Sequence, residues 1–315
     1  MSGKLTDRQT PFQIGTAGWS YPDWEGVFYP SPAPRRFRAL AYYSRFFNLV
    51  EVNATFYAVF PPSHAEKWCQ EVAGRPGFTF SLKLWKGLTH ESPSPLPRVE
   101  IQSIRDTCSV LSGHGRLGAL LMQFPWSFRS SPANFDRLKK LLDAFEGFPR
   151  AVEIRHASWH TAAFFDVLRE RAAAFCNIDQ PLLRDCPPPT SLSTASFSYL
   201  RIHGRNAPNW FRESATGGER YDYYYPPAEV EELARLAKAL AEQTSRVMVT
   251  TNNHYRGQAA ADALLLRAAL EGKVDRVPSC LARAFPDVRA LPARHAPEPE
   301  DARQPDLFDL PYEKT

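Results

Sequence analysis

Residues 117–155 read LGALLMQFPWSFRSSPANFDRLKKLLDAFEGFPRAVEIR. Two apolar runs of strand length, residues 117–124 and 150–155, flank a longer segment between them. Short apolar runs that alternate with longer segments of helical period are typical of strand–helix–strand units, which build parallel sheets. This stretch therefore predicts one βα unit together with the strand that follows it.

The same alternation extends in both directions along the chain. Eight strands in roughly 270 residues predict an α/β protein that folds as a closed (β/α)8 TIM barrel. An open, doubly wound parallel sheet is the alternative. The proline-rich stretch 180–194 leaves little room for a helix after the sixth strand. The predicted strands are residues 13–18, 49–53, 77–84, 117–124, 150–155, 174–179, 196–203 and 245–252.

Composition restricts the class of protein. The 315 residues are 43% apolar and 23% charged, which is typical of a globular protein and excludes a wholly disordered or collagen-like chain. Five well-separated cysteines without a C-x-x-C pair predict neither a disulfide framework nor a zinc ribbon. The polar amino terminus and the lack of a long apolar run predict a cytoplasmic protein without a membrane partner. A net charge of +4 permits a nucleic-acid partner without requiring one.

The carboxyl-terminal residues change abruptly to Pro, Ala, Arg, Glu and Asp, which predicts a flexible tail. Gln304, Leu307 and Phe308 belong to a Q-x-D-L-F pentapeptide that resembles the peptide with which bacterial repair proteins bind the sliding clamp. Alternatively, Leu307 and Phe308 pack against the barrel. The predicted divisions are an amino-terminal extension 1–11, a barrel 12–285 and a disordered tail 286–315.

Polar side chains gather toward the carboxyl ends of the predicted strands. Because side chains alternate along a strand, most of these polar groups share the parity that faces the barrel interior. Barrels of this class carry their chemistry at that end, so the pattern predicts a binding or catalytic site, whereas purely structural ion pairs are the alternative. The residues are Glu51, Asn53, Lys83, Gln123, Glu153, Arg155, Asp179, Tyr199, Arg201, His203, Asn252 and Asn253.

The charges in this set indicate the ligand. Three cations, Lys83, Arg155 and Arg201, balance three carboxylates, and the arginine forks suit a phosphate or carboxylate group. Glu51 or Glu153 is predicted to activate water or to transfer a proton.

Histidines supply the second proton-transfer group of this hypothesis. His203 is the first choice, and His90 and His156 are further candidates near the mouth. The histidines and carboxylates also leave a divalent metal as an alternative, although no H-x-x-x-H or H-E-x-x-H spacing occurs. No organic cofactor is expected.

Residues 15–30, GTAGWSYPDWEGVFYP, form an aromatic-rich loop after the first strand. Gly15 and Gly18 allow the backbone to approach its neighbours closely at this strand end. Trp19 and Tyr21 then belong either to an apolar lid on the barrel rim or to a platform on which a base or sugar ring stacks.

Several blocks, in this order, make the chain similar to the DUF72 (YecE-like) family. The resemblance covers about residues 12–270 and implies a TIM barrel. The activity of that family is not established, and its proposed likeness to endonuclease IV, a metal-dependent DNA repair enzyme, is one of fold. Thr251 departs from the family, which often has an aromatic residue there. The blocks are residues 15–30, YYSRFFNLVEVNATFY at 42–57, Lys83 with Thr89-His90, LLMQFPWSF at 120–128, VEIRHASW at 152–159, YLRIHG at 199–204 and Asn252-Asn253.

The resulting hypothesis is a bacterial barrel enzyme, a hydrolase resembling a phosphodiesterase or endonuclease. It would act on a phosphate-bearing substrate, nucleic acid or nucleotide, in DNA repair, with the sliding clamp as a partner of its tail. One alternative is a hydrolase or isomerase of a small sugar or carboxylate. The other is a non-catalytic module that its tail recruits to the replication clamp.

Overall fold

A computed structural model describes residues 10–91, 94–212, 214 and 217–296. Eight parallel strands pair in chain order, and the first strand pairs with the eighth, so the sheet closes into a barrel. The predicted (β/α)8 fold and all eight strands are confirmed, with strand ends that differ by no more than two residues. The strands are β1 Phe12–Ala17, β2 Leu49–Val52, β3 Thr79–Lys83, β4 Leu117–Gln123, β5 Arg150–Glu153, β6 Ala174–Asp179, β7 Ser198–Ile202 and β8 Val247–Thr251.

Helices surround the barrel in the described part of the chain. No helix lies between β6 and β7, where residues 180–197 are all described, as the prolines there predict. The helices are α1 Ala39–Tyr43, α2 Ala54–Tyr57, α3 Ser63–Glu71, α4 Lys86–Thr89, α5 Arg98–Gly113, α6 Pro132–Ala144, α7 Ala162–Glu170, α8 Ala207–Trp210, α9 Gly217–Arg220, α10 Pro227–Ala241, α11 Gln258–Glu271, α12 Ser279–Ala284 and α13 Pro286–Arg289.

Local sequence explains where two of the outer helices begin. Ser131 precedes α6, and its hydroxyl accepts a hydrogen bond from the backbone N–H of Asn134. Thr161 caps α7 in the same way through the N–H of Phe164. Such caps satisfy one of the free N–H groups of the first turn and contribute about 1 kcal/mol each.

Two apolar layers enclose the strands. The outer layer lies between strands and helices and contains Val50 and Val152, whereas the inner layer fills the barrel. This division confirms the alternation read from the sequence. The inner layer consists of Leu49, Ala119, Leu121, Ala151, Ala174, Cys176, Ile178, Phe197, Tyr199 and Met248.

Gly15 is required for the contact between β1 and β2. A Cβ atom at this position would lie 1.8 Å from the carbonyl oxygen of Leu49 and 2.7 Å from the hydroxyl of Tyr43. That hydroxyl donates to the Leu49 carbonyl and accepts from the N–H of Thr16. Any side chain at residue 15 would therefore separate the two strands, as the close approach predicted for this glycine implies.

The ordered structure continues beyond the predicted barrel boundary at residue 285. Two short strands, β9 Arg276–Pro278 and β10 Arg294–Ala296, pair in parallel outside the barrel. Val288, in α13 between them, is fully buried. Helix and strand therefore extend past the predicted start of the tail at residue 286, because apolar residues such as Val288 pack in this polar segment. Residues 297–315, which include the predicted docking peptide, lie outside the described residues.

Candidate functional site

A buried ion-pair network lies in the centre of the barrel, beneath its mouth. Arg201 of β7 forms a bidentate pair with Glu51 of β2, with Nε 2.9 Å from Oε2 and Nη2 2.6 Å from Oε1. Its Nη1 donates to Oε2 of Glu153, on β5, at 2.5 Å. None of the three side chains is more than 1% exposed. The network, which we call the central network, joins three strands that are distant in sequence.

Further donors occupy the carboxylate of Glu51. The Tyr199 hydroxyl donates to its Oε2 at 3.0 Å, and the Thr250 hydroxyl lies 3.3 Å from the same oxygen. The predicted use of Arg201 as a fork for phosphate does not fit this geometry, since the fork already binds two carboxylates and is shielded from solvent. Tyr199 is fully buried in the inner layer and likewise has no contact with the mouth.

Opposite charges keep the network ionised. Burial alone would raise the pKa of Glu153, but the cations of Arg155 and Arg201 outweigh it and lower this pKa well below its ordinary value. Burial opposes the charge of Arg201 as well, and Glu153 and Glu51 reverse the effect and raise its pKa. Buried charges with such partners stabilise one another, whereas removal of one partner leaves the others uncompensated.

Arg155 connects the central network to the opening of the barrel. Its Nε contacts Glu153, and its Nη1 donates to Oε1 of Gln180 at 3.1 Å. Its guanidinium carbon lies 5.6 Å from the centroid of a Trp210 ring, within the range of a cation–π contact. The side chain is 12% exposed, so Arg155 is accessible where Arg201 is not.

His203 is a neutral histidine in the described geometry. Its Nδ1 lies 3.0 Å from Nδ2 of Asn252 and 3.5 Å from Nη2 of Arg155, and both of these groups are donors. The proton must therefore sit on Nε2, which faces Glu153 Oε1 at 3.4 Å. Burial, followed by the charge of Arg155, lowers the pKa of His203 well below its usual range. The ring is fully buried, and it lies behind Trp210 and Tyr221 of the mouth, at 6.2 and 6.3 Å between ring centroids.

Beside Arg155 the mouth opens into a cavity of about 170 Å³, here called the rim cleft. The cleft combines two arginines with four large aromatic side chains. Its walls come from the loops after β4, β5, β6 and β7. The lining residues are Gln123, Pro125, Trp126, Arg155, Gln180, Cys186, Trp210, Phe211, Arg220 and Tyr221.

Several hydrogen-bond donors of the rim cleft lack an acceptor. Trp126 Nε1, Gln180 Nε2 and Arg220 Nε are buried and have no hydrogen-bond partner among the described residues. A buried donor without an acceptor costs about 1–3 kcal/mol. Three such donors on one cavity fit a ligand that is rich in acceptor oxygens.

Lys83 occupies the other side of the mouth, at the end of β3. Its Nζ lies 4.0 Å from the centroid of the Phe56 ring, on α2. Burial, with the neighbouring charge of Arg201 in second place, lowers the pKa of Lys83 to about 7. The ammonium forms no ion pair within the part of the chain that the structure describes. Burial without an ion-pair partner therefore favours the neutral form of the Lys83 amine.

His90 and Asn53 lie on the same side as Lys83. The His90 ring meets Phe56 edge-on at 4.9 Å between centroids, and its Nδ1 lies 2.8 Å from the Thr89 hydroxyl. Burial and the charge of Lys83 lower the pKa of His90 to about 4. Asn53 Oδ1 is buried and has no hydrogen-bond partner among residues 10–91, 94–212, 214 and 217–296.

Two predicted site residues do not face the barrel interior. Asp179 pairs with Arg205, at 2.8 Å from Nη2, and accepts from the Tyr225 hydroxyl. Asn253 donates to Oδ2 of Asp262 on α11. Since Ile178 of the inner layer immediately precedes Asp179, alternation turns this carboxylate outward.

His156 also turns away, because Arg155 before it takes the inward position. Its Nδ1 accepts from the backbone N–H of Ser158, and its ring meets Trp126 edge-on at 5.1 Å. Burial lowers its pKa. His156 thus supports one wall of the rim cleft from behind.

The aromatic loop after β1 packs as a lid. Trp24 and Phe28 are fully buried, and the Tyr21 ring stacks on His254 at 4.4 Å with an angle of 3° between the planes. Trp19 meets Trp68 of α3 edge-on at 6.3 Å, outside the barrel. These contacts favour the lid over the stacking platform, since the loop packs through its own aromatic side chains.

The sequence reasoning missed several residues of the cleft. Gln180 directly follows the sixth predicted strand, and Trp126 lies two residues after the fourth. Phe211 and Arg220 belong to the loop after β7, and Phe56 follows β2. Because polar and aromatic side chains just beyond strand ends line the mouth of a barrel, a search of those positions would have found them.

The described residues were also compared with the requirements of a metal site and of a membrane-spanning helix. Within the described ranges, no group of three or more His, Cys, Asp or Glu side chains is arranged to hold a metal ion. None of the helices described here is long and apolar enough to cross a membrane.

Fold and site together define a TIM-barrel protein with a buried ion-pair centre and a basic, aromatic cleft at its mouth. The chain belongs to the DUF72 family, described as "Protein of unknown function DUF72", whose model matches residues 13–287. The predicted resemblance is confirmed over nearly the whole barrel.

Individual relatives agree with this assignment. The UPF0759 protein YunF of Bacillus subtilis is 28% identical over 262 residues, which cover 78% of this chain and 90% of YunF. The crystal structure of a DUF72 family protein from Thermotoga maritima has a TM-score of 0.71 and 31% identity, and covers 82% of this chain and 99% of that one. A DUF72 family structure from Enterococcus faecalis, at 23% identity and a TM-score of 0.72, covers 82% of this chain and 95% of that one and shares the fold.

Proposed function

We propose that the protein binds a nucleotide, free or as a unit of nucleic acid, in the rim cleft. The cleft's two arginines, its four aromatic side chains and its donors without acceptors together carry this proposal. Arg155 and Arg220 would hold the phosphate, because guanidinium groups match phosphate oxygens in charge and geometry. Trp126, Trp210 and Phe211 would contact the base, since every base offers a ring face for stacking.

The central network supports the cleft from below in this proposal. Glu51, Glu153 and His203 have fully buried side chains, so direct contact with a ligand would require them to move. We assign them a positioning role: Glu153 and His203 hold Arg155 at the floor of the cleft. The hydrolytic role that the sequence suggests for the glutamates is the part that an activity assay must test.

Tryptophan fluorescence tests the binding proposal. We expect a nucleoside monophosphate to change the emission of Trp126 and Trp210 in a saturable way. The matching nucleoside and inorganic phosphate should each bind about 10-fold more weakly or worse, because each offers half of the contacts. Trp126→Phe should reduce the amplitude of the change without abolishing binding.

Matched arginine variants locate the phosphate contact. Arg220→Gln should weaken the nucleoside monophosphate about 10-fold and leave the nucleoside unchanged. Arg169→Gln, on α7, is the control because that arginine is half exposed and pairs with the exposed Asp166. Equal affinity for nucleoside and nucleotide would contradict phosphate recognition. Inorganic phosphate that binds as tightly as the nucleotide would instead favour the small-anion alternative.

Turnover is tested separately, on abasic, nicked and single-stranded DNA with and without divalent metals. Cleavage that Glu153→Gln abolishes would support the hydrolase hypothesis. If no nucleic acid or nucleotide binds and only deletion of residues 303–315 removes partner binding, the protein is the recruited module of the second alternative.

A further inference from the structure

We propose that Lys83 is a nucleophilic amine that forms an imine with the aldehyde of a phosphate-bearing sugar. The relevant ligands share one chemistry, an open-chain aldehyde next to a phosphate, and include free sugar phosphates and abasic nucleotide units in DNA. The proposal rests on the proposed function only for the phosphate contact at Arg155, and the amine chemistry is independent of it.

Among the described residues, the pairing pattern of the mouth leaves Lys83 without a counter-ion. Glu51 is fully used by Arg201, Tyr199 and Thr250, and Glu153 contacts Arg201 and Arg155. Two carboxylates thus balance two arginines before Lys83 is counted. A protonated Lys83 would add an uncompensated positive charge to a low-dielectric site, and such a charge favours the neutral form of a lysine.

The position of Lys83 gives the amine access to the mouth. The side chain is only partly buried and leans over the face of Phe56. β3 lies beside β4, whose last residue, Gln123, lines the rim cleft. A ligand with its phosphate on Arg155 can therefore extend toward Lys83 across the end of one strand. The exposed side chain of His90 borders the same entrance.

The chemical step needs no external oxidant or reductant. The nitrogen lone pair of the neutral amine forms a C–N bond with the aldehyde carbon while the carbonyl π electrons move to oxygen. Transfer of a proton from nitrogen to that oxygen gives a carbinolamine. The nitrogen lone pair then expels the hydroxyl group, which takes up one proton and leaves as water, and a protonated imine remains.

Borohydride trapping tests the proposal, because the reductant converts the imine into a stable secondary amine. The full-length protein is incubated with ribose 5-phosphate in one arm, an abasic oligonucleotide in a second and glycolaldehyde, which lacks phosphate, in a third. Peptide mapping by mass spectrometry then locates the adduct. We expect labelling of Lys83 at least 10-fold faster than that of the exposed Lys86. The more reactive of the first two arms identifies the source of the ligand.

Variants separate amine chemistry from charge. Lys83→Arg keeps a cation without a nucleophile and should abolish the adduct, whereas Lys86→Arg should leave it unchanged. Thermal unfolding of both variants checks that they fold. If Lys83→Arg does not fold, the comparison of Lys83 with Lys86 in the unchanged protein still decides the question.

The three arms also separate this proposal from the proposed function. Labelling of Lys83 by glycolaldehyde as readily as by the phosphorylated compounds would support the amine and contradict the phosphate contact. Nucleotide binding without any preferential labelling of Lys83 would support the cleft and overturn the imine. Labelling that follows exposure alone, with Lys83 no faster than Lys86, would likewise overturn it.

Discussion

The central network and the rim cleft both contain arginines, but the two regions use them in opposite ways. The side chain of Arg201 is 1% exposed, and its guanidinium group pairs with the carboxylates of Glu51 and Glu153. Arg155 keeps its guanidinium beside Trp210 and is 12% exposed, and Arg220 has a buried Nε with no partner in the described ranges. The charged groups of the centre pair with one another, whereas the rim carries buried donors that have no acceptor among the described residues.

This difference shows how a charged residue on a barrel strand should be judged. Arg201 and Arg155 are the same type of residue and both turn inward, but Arg201 lies within β7, whereas Arg155 lies two residues beyond the end of β5. The residue nearer the middle of the barrel meets side chains from other strands. The residue nearer the strand end meets loops and solvent, and it is there that ligand chemistry is expected.

The largest expected effect comes from the centre. Arg201→Met should lower the free energy of unfolding by about 3–5 kcal/mol, because it leaves Glu51 and Glu153 buried without their shared cation. Urea denaturation measures the change. Arg169→Met, which removes an exposed pair with Asp166, is the control and should cost no more than about 0.5 kcal/mol. A loss below 1 kcal/mol for Arg201→Met would make the two pairs equivalent and contradict the comparison.

At the rim, function should suffer more than stability. Arg155→Gln should lower the free energy of unfolding by only about 1–2 kcal/mol, since Glu153 keeps Arg201 and His203 as partners. The same change should weaken binding of a nucleoside monophosphate by about 10-fold or more. Titration calorimetry on the folded variant measures the affinity for the nucleoside monophosphate. Unchanged affinity would show that the cleft arginine is structural like Arg201.

The lowered pKa of Lys83 should make the stability of the protein depend on pH. With a pKa of about 7 in the folded protein, against 10.5 ordinarily, the unfolded chain binds one more proton than the folded chain between pH 7 and 10.5. The free energy of unfolding therefore gains a contribution that rises with pH across this window. Lys83→Met should remove this rise and stabilise the protein at pH 6 by on the order of 1 kcal/mol.

Denaturation of both proteins at several pH values tests this prediction. The charged and titratable groups that act on Lys83 are Arg201, Glu51, Glu153, Arg155 and, in turn, His90. They are present in both proteins, so the difference between the two curves reports Lys83 together with its effect on His90. Parallel curves would show that its amine stays protonated and would also weaken the case for imine formation.

The smallest effect is expected at the outer edge of the cleft. Phe211 is 52% exposed and meets Trp126 edge-on at 5.8 Å. Phe211→Ala should change the free energy of unfolding by no more than about 0.5 kcal/mol. It should weaken nucleotide binding by roughly 3–10-fold through lost stacking, as a titration would show. A loss of stability without a loss of affinity would place this ring in the core rather than in the site.

The sequence predicts the barrel well because its strands are short apolar runs with clear alternation. The same alternation correctly turns Glu51, Glu153 and Arg201 inward. Asp179 shows the limit of this reasoning. Its position at a strand end predicts a site residue, but its parity along β6 turns the carboxylate outward to Arg205. The sequence could not show which cations of the site are structural and which face a ligand, since the partner of Arg201 lies 150 residues away on β2.

The central claim is that the rim, and not the buried centre, takes a phosphate-bearing ligand. A crystal structure determined with a nucleoside monophosphate tests it most directly. We predict the phosphate within hydrogen-bond distance of Arg155 and Arg220, the base against Trp126 or Trp210, and the pairs of Arg201 with Glu51 and Glu153 unchanged. A phosphate bound to Arg201 with those pairs broken, or a ligand bound away from the cleft, would contradict the account.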